Sequence, residues 1–327
     1  MDKTAEETQN IKLLNSNILD SLRRDSDDVF VKKAQAAATD YTRINIRENS
    51  FAFKILPPEK ATPEMLKYDL SDNLGIVWEI EPDSPGAKWV GLETIPDGEY
   101  ITASKYLIPF ARVLTPNFKC DVAKLLTTHQ DVRKILTDNS IKDGLAAIDV
   151  KFIYTVNSIV FDADGQGEPN HLTGKVQWRD FEDPLSRETF AEASKMLPAG
   201  NEDGKYVARN YCCLMNDCTA REILKLRRDE VGGDLAEEYF RNGLTTSELM
   251  GIKTLFTIKN NLIPENWVYF FAEPSYLGKC FYLDDWTMYM KKEAFFIEMF
   301  SYWFGGFAFG NVAGMALARF HQKKSNG

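Results

Sequence analysis

The sequence lacks the motifs on which several common enzyme classes depend. It has no glycine-rich phosphate loop followed by Lys and Ser or Thr, no dinucleotide-binding glycine fingerprint after a strand, and no serine at a nucleophile elbow. Only three histidines are present, His129, His171 and His321, and none is spaced with an acid or a cysteine as a partner. We therefore predict no enzymatic activity, no catalytic residues and no cofactor.

Cysteine is also scarce, with five residues at positions 120, 212, 213, 218 and 280. The odd number and irregular spacing favour a reduced compartment over a disulfide-linked scaffold. Cys212, Cys213 and Cys218 come nearest to a zinc site, but no second Cys or His pair completes a tetrahedral ligand set. Residues 162–165 begin like a calcium loop and lack the later ligands. We expect free, buried cysteines and no metal.

Positive charge is in deficit, because 39 Lys and Arg face 48 Asp and Glu for a net charge of −9. Nonspecific binding to nucleic acid depends on clustered Lys and Arg that displace counterions, so this charge argues against it. An acidic surface is compatible with a position beside a polyanion. The first ten residues have neither the basic nor the apolar region of a signal peptide, and we expect synthesis in a cytoplasm.

One long stretch with little charge lies at residues 286–320, and two interpretations compete for it. Its length would suffice for a membrane helix. However, Glu298 lies inside it, and a carboxylate at bilayer depth is costly. From Phe296 to Phe304, the set Phe296, Glu298, Phe300, Tyr302 and Phe304 alternates with the set Ile297, Met299, Ser301 and Trp303, which is the two-residue period of a strand. The pattern favours a long buried strand, which we expect Gly305-Gly306 and Gly310 to bend or end.

The preceding chain predicts an arm, a hairpin and a long helix. Residues 1 to about 50 are polar with a weak helical period and need another surface to lie on. Apolar alternation over residues 76–114, punctuated by turn sequences at 83–86 and 96–98, predicts a long β-hairpin. Helical periodicity follows, with a break expected at Asp138-Asn139 and the longest helix at about 140–160. We expect this amphipathic helix to pack on the closing strand.

Short helices and strands alternate over residues 180–290. The pattern predicts helices at 181–197, 220–228 and 235–240, and strands at 254–258, 268–271 and 280–283. This mixture indicates an α+β unit inserted between the long helix and the final strand.

Five short sequence segments within the last 70 residues resemble those of a known protein family. They are Pro-Glu-Asn-Trp-Val-Tyr-Phe at 264–270, Cys-Phe-Tyr-Leu-Asp-Asp at 280–285, the glycine pair 305–306, Asn-Val-Ala at 311–313 and Ala-Arg-Phe at 318–320. Together with the order of elements, they resemble the major capsid proteins of tailed bacteriophages, which have the Johnson fold. One departure is that many relatives have arginines along the last long strand, where this chain has Tyr302, Trp303 and Phe304.

The resemblance implies an α+β fold with named parts. Residues 1–75 would be the N-terminal arm, 76–114 the extended loop, 115–180 with 293–327 the peripheral domain with its spine helix, and 181–292 the axial domain. The loop residues implied in inter-subunit contact are Trp78, Trp89, Val90, Ile95 and Tyr106. The residues implied in the peripheral-domain core are Leu145, Ile148, Phe152, Val156, Phe296, Phe300, Gly305 and Gly306.

The resemblance also implies a function and partners. The chain would assemble with copies of itself into pentamers and hexamers of an icosahedral or prolate shell around double-stranded DNA, without reading the DNA sequence. Because few residues precede the extended loop, a separate scaffolding protein is expected, with a portal and a decoration protein as further partners. The protein would be located in the virion, after synthesis in the host cytoplasm, and would not contact a membrane.

Two alternatives stay open at this point. An encapsulin-type nanocompartment shell has the same fold but encloses an enzyme, so particle contents would distinguish it. A protein anchored in a membrane by residues 294–318 would require detergent for extraction.

Overall fold

The computed structural model describes residues 39–40, 42, 50–68, 74–80, 104–121, 132–161, 168–170, 175–197, 209–223, 247–293 and 295–321. The helices are α1 (Phe51–Ile55), α2 (Val132–Val160), α3 (Arg187–Ser194), α4 (Asp217–Ile223) and α5 (Pro274–Leu277). The strands are β1 (Pro58–Lys60), β2 (Leu66–Tyr68), β3 (Leu74–Ile80), β4 (Ser104–Pro109), β5 (Ala111–Leu114), β6 (Phe118–Asp121), β7 (Trp178–Phe181), β8 (Cys212–Asn216), β9 (Ser247–Leu249), β10 (Ile252–Thr257), β11 (Trp267–Phe271), β12 (Gly278–Glu293), β13 (Phe296–Phe309) and β14 (Met315–Phe320). Short 3-10 turns lie at Pro63–Met65 and Val312–Gly314.

The long helix α2 is continuous for 29 residues, so the predicted break at Asp138-Asn139 is wrong. Asp and Asn disfavour a helix interior by only a few tenths of a kcal/mol each, up to about 0.7 kcal/mol. Burial of the apolar side chains that follow on the same helix outweighs this cost. The rest of the prediction, a long amphipathic helix ending at Val160, is confirmed.

The closing strand belongs to a five-stranded sheet with the order β1-β12-β13-β5, in which β6 also pairs with β13. β12 and β13 form an antiparallel ribbon of 16 and 14 residues. The predicted short strand at 280–283 is therefore only the beginning of β12. Register shifts on either side of Asp284 let the strand continue through Asp284 and Asp285, beyond the predicted end at residue 283.

A six-stranded sheet with the order β7-β14-β11-β8-β10-β9 forms the second layer. The predicted strands at 254–258 and 268–271 are confirmed as β10 and β11. The predicted helix at 181–197 is shorter, because Pro184 precedes it and Ser186 caps it through the Thr189 backbone N–H. The helix predicted at 220–228 begins earlier, at Asp217, and the one at 235–240 lies outside the described residues.

Each of the two large sheets contains strands from more than one of the expected domains. β12, from the segment assigned to the axial domain, pairs with β13, whereas β14 pairs with β11 and with β7. The chain therefore passes from one sheet to the other between Phe271 and Gly278, and back again between Phe309 and Met315. The division into functional domains stays a prediction.

A three-stranded antiparallel sheet of β2, β3 and β4 is the base of the expected hairpin. Its register runs from Gly75 opposite Pro109 to Ile80 opposite Ser104. The remainder, residues 81–103, and most of the N-terminal arm lie outside the described residues.

The main hydrophobic core joins α1, α2 and both large sheets. Phe152 of α2 has 1% exposure and contacts four rings, at centroid distances of 6.3 Å to Phe51, 5.8 Å to Phe271, 5.8 Å to Phe307 and 5.5 Å to Phe309. The expected packing of the long helix on the closing strand is thereby confirmed.

The membrane-anchor alternative does not fit this architecture. Residues 296–309 and 315–320 are strands of two different sheets. In the part of the chain that the structure describes, no helix combines the length and the apolar character needed to cross a bilayer.

Candidate assembly surfaces

The two faces of β13 differ in what covers them. Ile297, Met299, Ser301 and Trp303 are buried, whereas the residues between them are half-buried or exposed. Phe296, with 46% exposure, and Phe300 therefore do not belong to the core, and that expectation is wrong. Period-two alternation shows that a strand has two faces and does not show which one is covered.

The buried face of the β12–β13 ribbon is covered mainly by methionine side chains, which are flexible. Met288, Met290, Ile297 and Met299 form a small cluster with Cys120 and Leu136 packed against it. Trp303 lies farther along the same face, with its ring 5.9 Å from that of Phe53. Methionine fills irregular gaps well, which explains why the buried face is not the more aromatic one.

The opposite face presents an aromatic row that we call the outer stripe, made of Tyr289, Phe300, Tyr302, Phe304 and Leu114. The Tyr289 and Phe300 rings pair across the ribbon at 5.0 Å, and Phe300 lies 6.4 Å from Tyr302. Leu114, paired with Tyr302 in register, is 57% exposed. The stripe is a run of apolar side chains on the surface of the subunit, and such runs mark contact sites.

Charged groups border the stripe at both ends. At one end, hydrogen bonds from the Lys119 ammonium and from Asn117 hold the pKa of the Glu298 carboxyl below its usual value. At the other end, the Arg112 guanidinium lies 5.6 Å from the centroid of the Phe304 ring.

The remaining residues named for the core are buried. Leu145, Ile148, Phe152 and Val156 lie along one face of α2, with exposures between 0 and 8%. Gly305 and Gly306 continue β13 instead of ending it. A Cβ on Gly305 would lie 2.6 Å from the Phe281 carbonyl oxygen, and one on Gly306 would clash with the Pro109 carbonyl oxygen. Glycine is needed at both positions because two backbones approach closely there.

The residues named for inter-subunit contact are mostly beyond the described chain. Trp78 and Tyr106 lie opposite each other in the β3–β4 register. Trp89, Val90 and Ile95 lie outside the described residues. Their role in contact stays a prediction.

A buried polar junction, which the sequence patterns did not reveal, lies on α2. Asp149 has 0% exposure; its Oδ1 accepts hydrogen bonds from Ser50 Oγ at 2.7 Å and from the Ala52 backbone N–H at 3.2 Å. Its Oδ2 accepts from Lys259 Nζ at 2.6 Å. One available signal was an aspartate between Ile148 and Phe152 on an otherwise apolar face, since a buried charge is retained only when it is paired.

Three of the four cysteines on the two large sheets behave as buried hydrophobic residues. Cys212, Cys213 and Cys280 are free and buried, and burial raises the pKa of each thiol from 9.0 to about 12. A neutral thiol is a poor nucleophile and a poor metal ligand. The expectation that Cys212 and Cys213 are free and buried is confirmed, and Cys218 is free and half-buried.

Because of these three buried thiols, we predict that the folded protein loses stability at alkaline pH. In the unfolded chain they ionise near pH 9, whereas in the folded chain they stay protonated up to about 12. The unfolded state therefore loses protons first, and the unfolding free energy falls as pH rises from 9 towards 12, by about 1 kcal/mol per pH unit for each thiol.

Urea unfolding at a series of pH values from 8 to 10.5 would measure this slope, with Cys213→Ala as the comparison. The variant should start less stable at pH 8 and lose stability less steeply above pH 9. Parallel curves for the two proteins would show that the Cys213 thiol does not contribute to the slope.

No protein-family model matches the sequence, and a comparison with curated proteins also finds no match. Solved structures do match. The capsid of a native GTA particle aligns with a TM-score of 0.54 and 12% identity, over 82% of this chain and 89% of that one. A structure from Microbacterium phage Oxtober96 aligns with a TM-score of 0.56 and 12% identity, over 84% and 91%. The capsid of cyanophage P-SCSP1u gives 0.53 and 12%, over 84% and 93%.

The chain has the fold of tailed-phage major capsid proteins. The alignments cover 82–84% of this chain and 89–93% of those chains, so the likeness is not confined to one sheet. The predicted α+β class and the resemblance drawn from the last 70 residues are both confirmed at the level of the fold.

Proposed function

We propose that this chain is the major capsid protein of a tailed phage, and that it assembles into pentamers and hexamers of an icosahedral or prolate shell. The observation that supports this most is the likeness to capsid subunits across nearly the whole fold. In this proposal the chain has no catalytic activity and needs no cofactor.

The outer stripe supports the proposal independently of the comparisons. A subunit of a closed shell uses different patches on its two sides, because heterologous contacts that close into rings are not self-complementary. The stripe supplies one such patch, with aromatic side chains at its centre and the charged Glu298, Lys119 and Arg112 at its edges. Aromatic centres with polar rims are the usual anatomy of protein interfaces.

The charge of −9 bears on the contents of the shell. A wall of this charge does not bind packaged double-stranded DNA tightly, because few phosphates are neutralised and few counterions released. DNA would thus be enclosed without sequence-specific contact. A separate scaffolding protein, a portal and a decoration protein are the further partners in this proposal. The protein would be made in the host cytoplasm and would end in the virion.

Electron microscopy of the chain, expressed alone and together with candidate scaffolding proteins, tests the proposal. We expect closed particles of uniform size, and in infected cells we expect particles that protect double-stranded DNA from nuclease. Particles that hold a cargo enzyme and no DNA would instead indicate a nanocompartment. A chain that stays monomeric or dimeric in every assembly condition would contradict the proposal.

A further inference from the structure

The Asp149 carboxylate lies where the N-terminal arm joins the body of the subunit. Ser50 is the N-cap residue of α1, and its hydroxyl both accepts from the Phe53 backbone N–H and donates to Asp149. Because Asp149 also accepts the Ala52 backbone N–H, it shares the capping of α1 with Ser50. The first turn of α1 is thus tied to the middle of the long helix α2 by directional bonds.

Lys259 ties the same carboxylate to the second sheet. It follows β10, and its ammonium is 2.6 Å from Asp149 Oδ2 and 5.7 Å from the centroid of the Phe51 ring. The Lys259 carbonyl also accepts backbone N–H groups of Leu262 and Ile263, so its position is fixed by a turn. One carboxylate therefore joins α1, α2 and the loop between β10 and β11.

A second anchor lies nearer the N-terminus. The Thr39 hydroxyl accepts the backbone N–H of Met288 on β12 at 3.0 Å, and both Thr39 and Thr42 are buried. The arm thus contacts the body at β12 and again at α2. Two fixed points determine a direction, and packing of apolar side chains alone does not, because it is not directional.

We propose that Asp149 is a positioning residue for shell assembly, which sets the direction in which the arm leaves the subunit. This inference rests on the proposed capsid function. A buried ion pair adds little net stability, because desolvation of both ions offsets their attraction, and its best-attested use is to specify one arrangement over others. Here the arrangement is that of the arm relative to the two sheets.

The experiment compares Lys259→Met and Ser50→Ala with the full-length wild-type chain. Lys259→Met keeps the aliphatic stem and removes the charge. Lys279→Met is the matched control, because Lys279 also lies near a carboxylate, Glu59 at 3.8 Å, and an aromatic ring, Phe281 at 5.8 Å, but on the exposed surface. Hydrogen exchange of unassembled subunits and electron microscopy of assembled particles are measured for each protein.

We expect the amides of Ala52 and Phe53 to exchange about tenfold faster or more in both variants, which corresponds to loss of one charge-assisted hydrogen bond. Because Lys259→Met leaves the buried Asp149 carboxylate unpaired, some global destabilisation is expected, and the amides of β11 should accelerate clearly less than those of Ala52 and Phe53. Uniform closed shells should be replaced by open or irregular particles. Lys279→Met should match the wild type in both measurements.

Three results would overturn the inference. They are unchanged exchange at Ala52 and Phe53, equal acceleration throughout β11, which would mean a purely global effect on stability, and uniform closed shells despite faster exchange. A wild-type chain that forms no particles in any assembly condition, with or without a scaffolding protein, would instead overturn the capsid proposal. The exchange data would still report whether Asp149 and Lys259 hold α1.

Discussion

Replacement of Phe152 with alanine is expected to destabilise the unassembled subunit by about 3–5 kcal/mol. The side chain is 1% exposed, and its ring contacts aromatic rings from α1, β11 and β13. Truncation leaves a cavity between elements that belong to both large sheets, and the backbone of a central helix cannot collapse to fill it. Urea unfolding followed by circular dichroism would measure the loss.

Tyr154→Ala is the matched control for this prediction. Tyr154 lies on the same helix and is 76% exposed, so its truncation should change the unfolding free energy by no more than about 0.5 kcal/mol. A loss below about 1.5 kcal/mol for Phe152→Ala would mean that the two sheets are held together mainly by other contacts.

Removal of the aromatic pair Tyr289 and Phe300 is expected to abolish shell formation while leaving the subunit folded. The two rings contribute about 0.5–1.5 kcal/mol to the subunit through their mutual contact. At the centre of an interface, however, each truncated aromatic residue costs about 2 kcal/mol or more. Because every subunit of a shell repeats the contact, the double variant Tyr289→Ser/Phe300→Ser should lower the particle yield at least about tenfold.

The yield of sedimentable particles, measured at equal concentrations of folded subunit, checks this prediction. Tyr211→Ser is the control, since Tyr211 has the same 41% exposure as Tyr289 but lies outside the outer stripe. We expect its particles to form as in the wild type. Normal yields of closed shells from the double variant would show that the outer stripe is not an assembly contact.

The helices and strands with strong periodicity were predictable because their pattern is local. The run from Phe296 to Phe304 alternates with a period that only a strand satisfies, and α2 repeats apolar residues at helical spacing from Ile141 to Val156. The pattern could not show which face of β13 is buried. That depends on Met288, Met290 and Leu136, which come from other parts of the chain.

Local turn and capping signals were less informative than tertiary packing. Asp138-Asn139 predicted a break between two helices, and the strand predicted at 280–283 stopped just before Asp284-Asp285. In both places burial of the neighbouring apolar residues continues the element. In the helix the cost is only a few tenths of a kcal/mol per unfavourable residue. The strand β12 accommodates Asp284 and Asp285 through register shifts, which no sequence pattern predicted.

Residues 286–320 show what the sequence determined and what the tertiary structure determined. The sequence alone favoured strands over a membrane helix there, because alternation and Glu298 are properties of neighbouring residues. Only the tertiary structure decided that β13 and β14 enter different sheets, that the aromatic face is the outward one, and that Asp149 meets Ser50 and Lys259 across 99 and 110 positions of the chain. Contacts over such separations depend on how the sheets and helices pack, and the period of any one element contains no information about them.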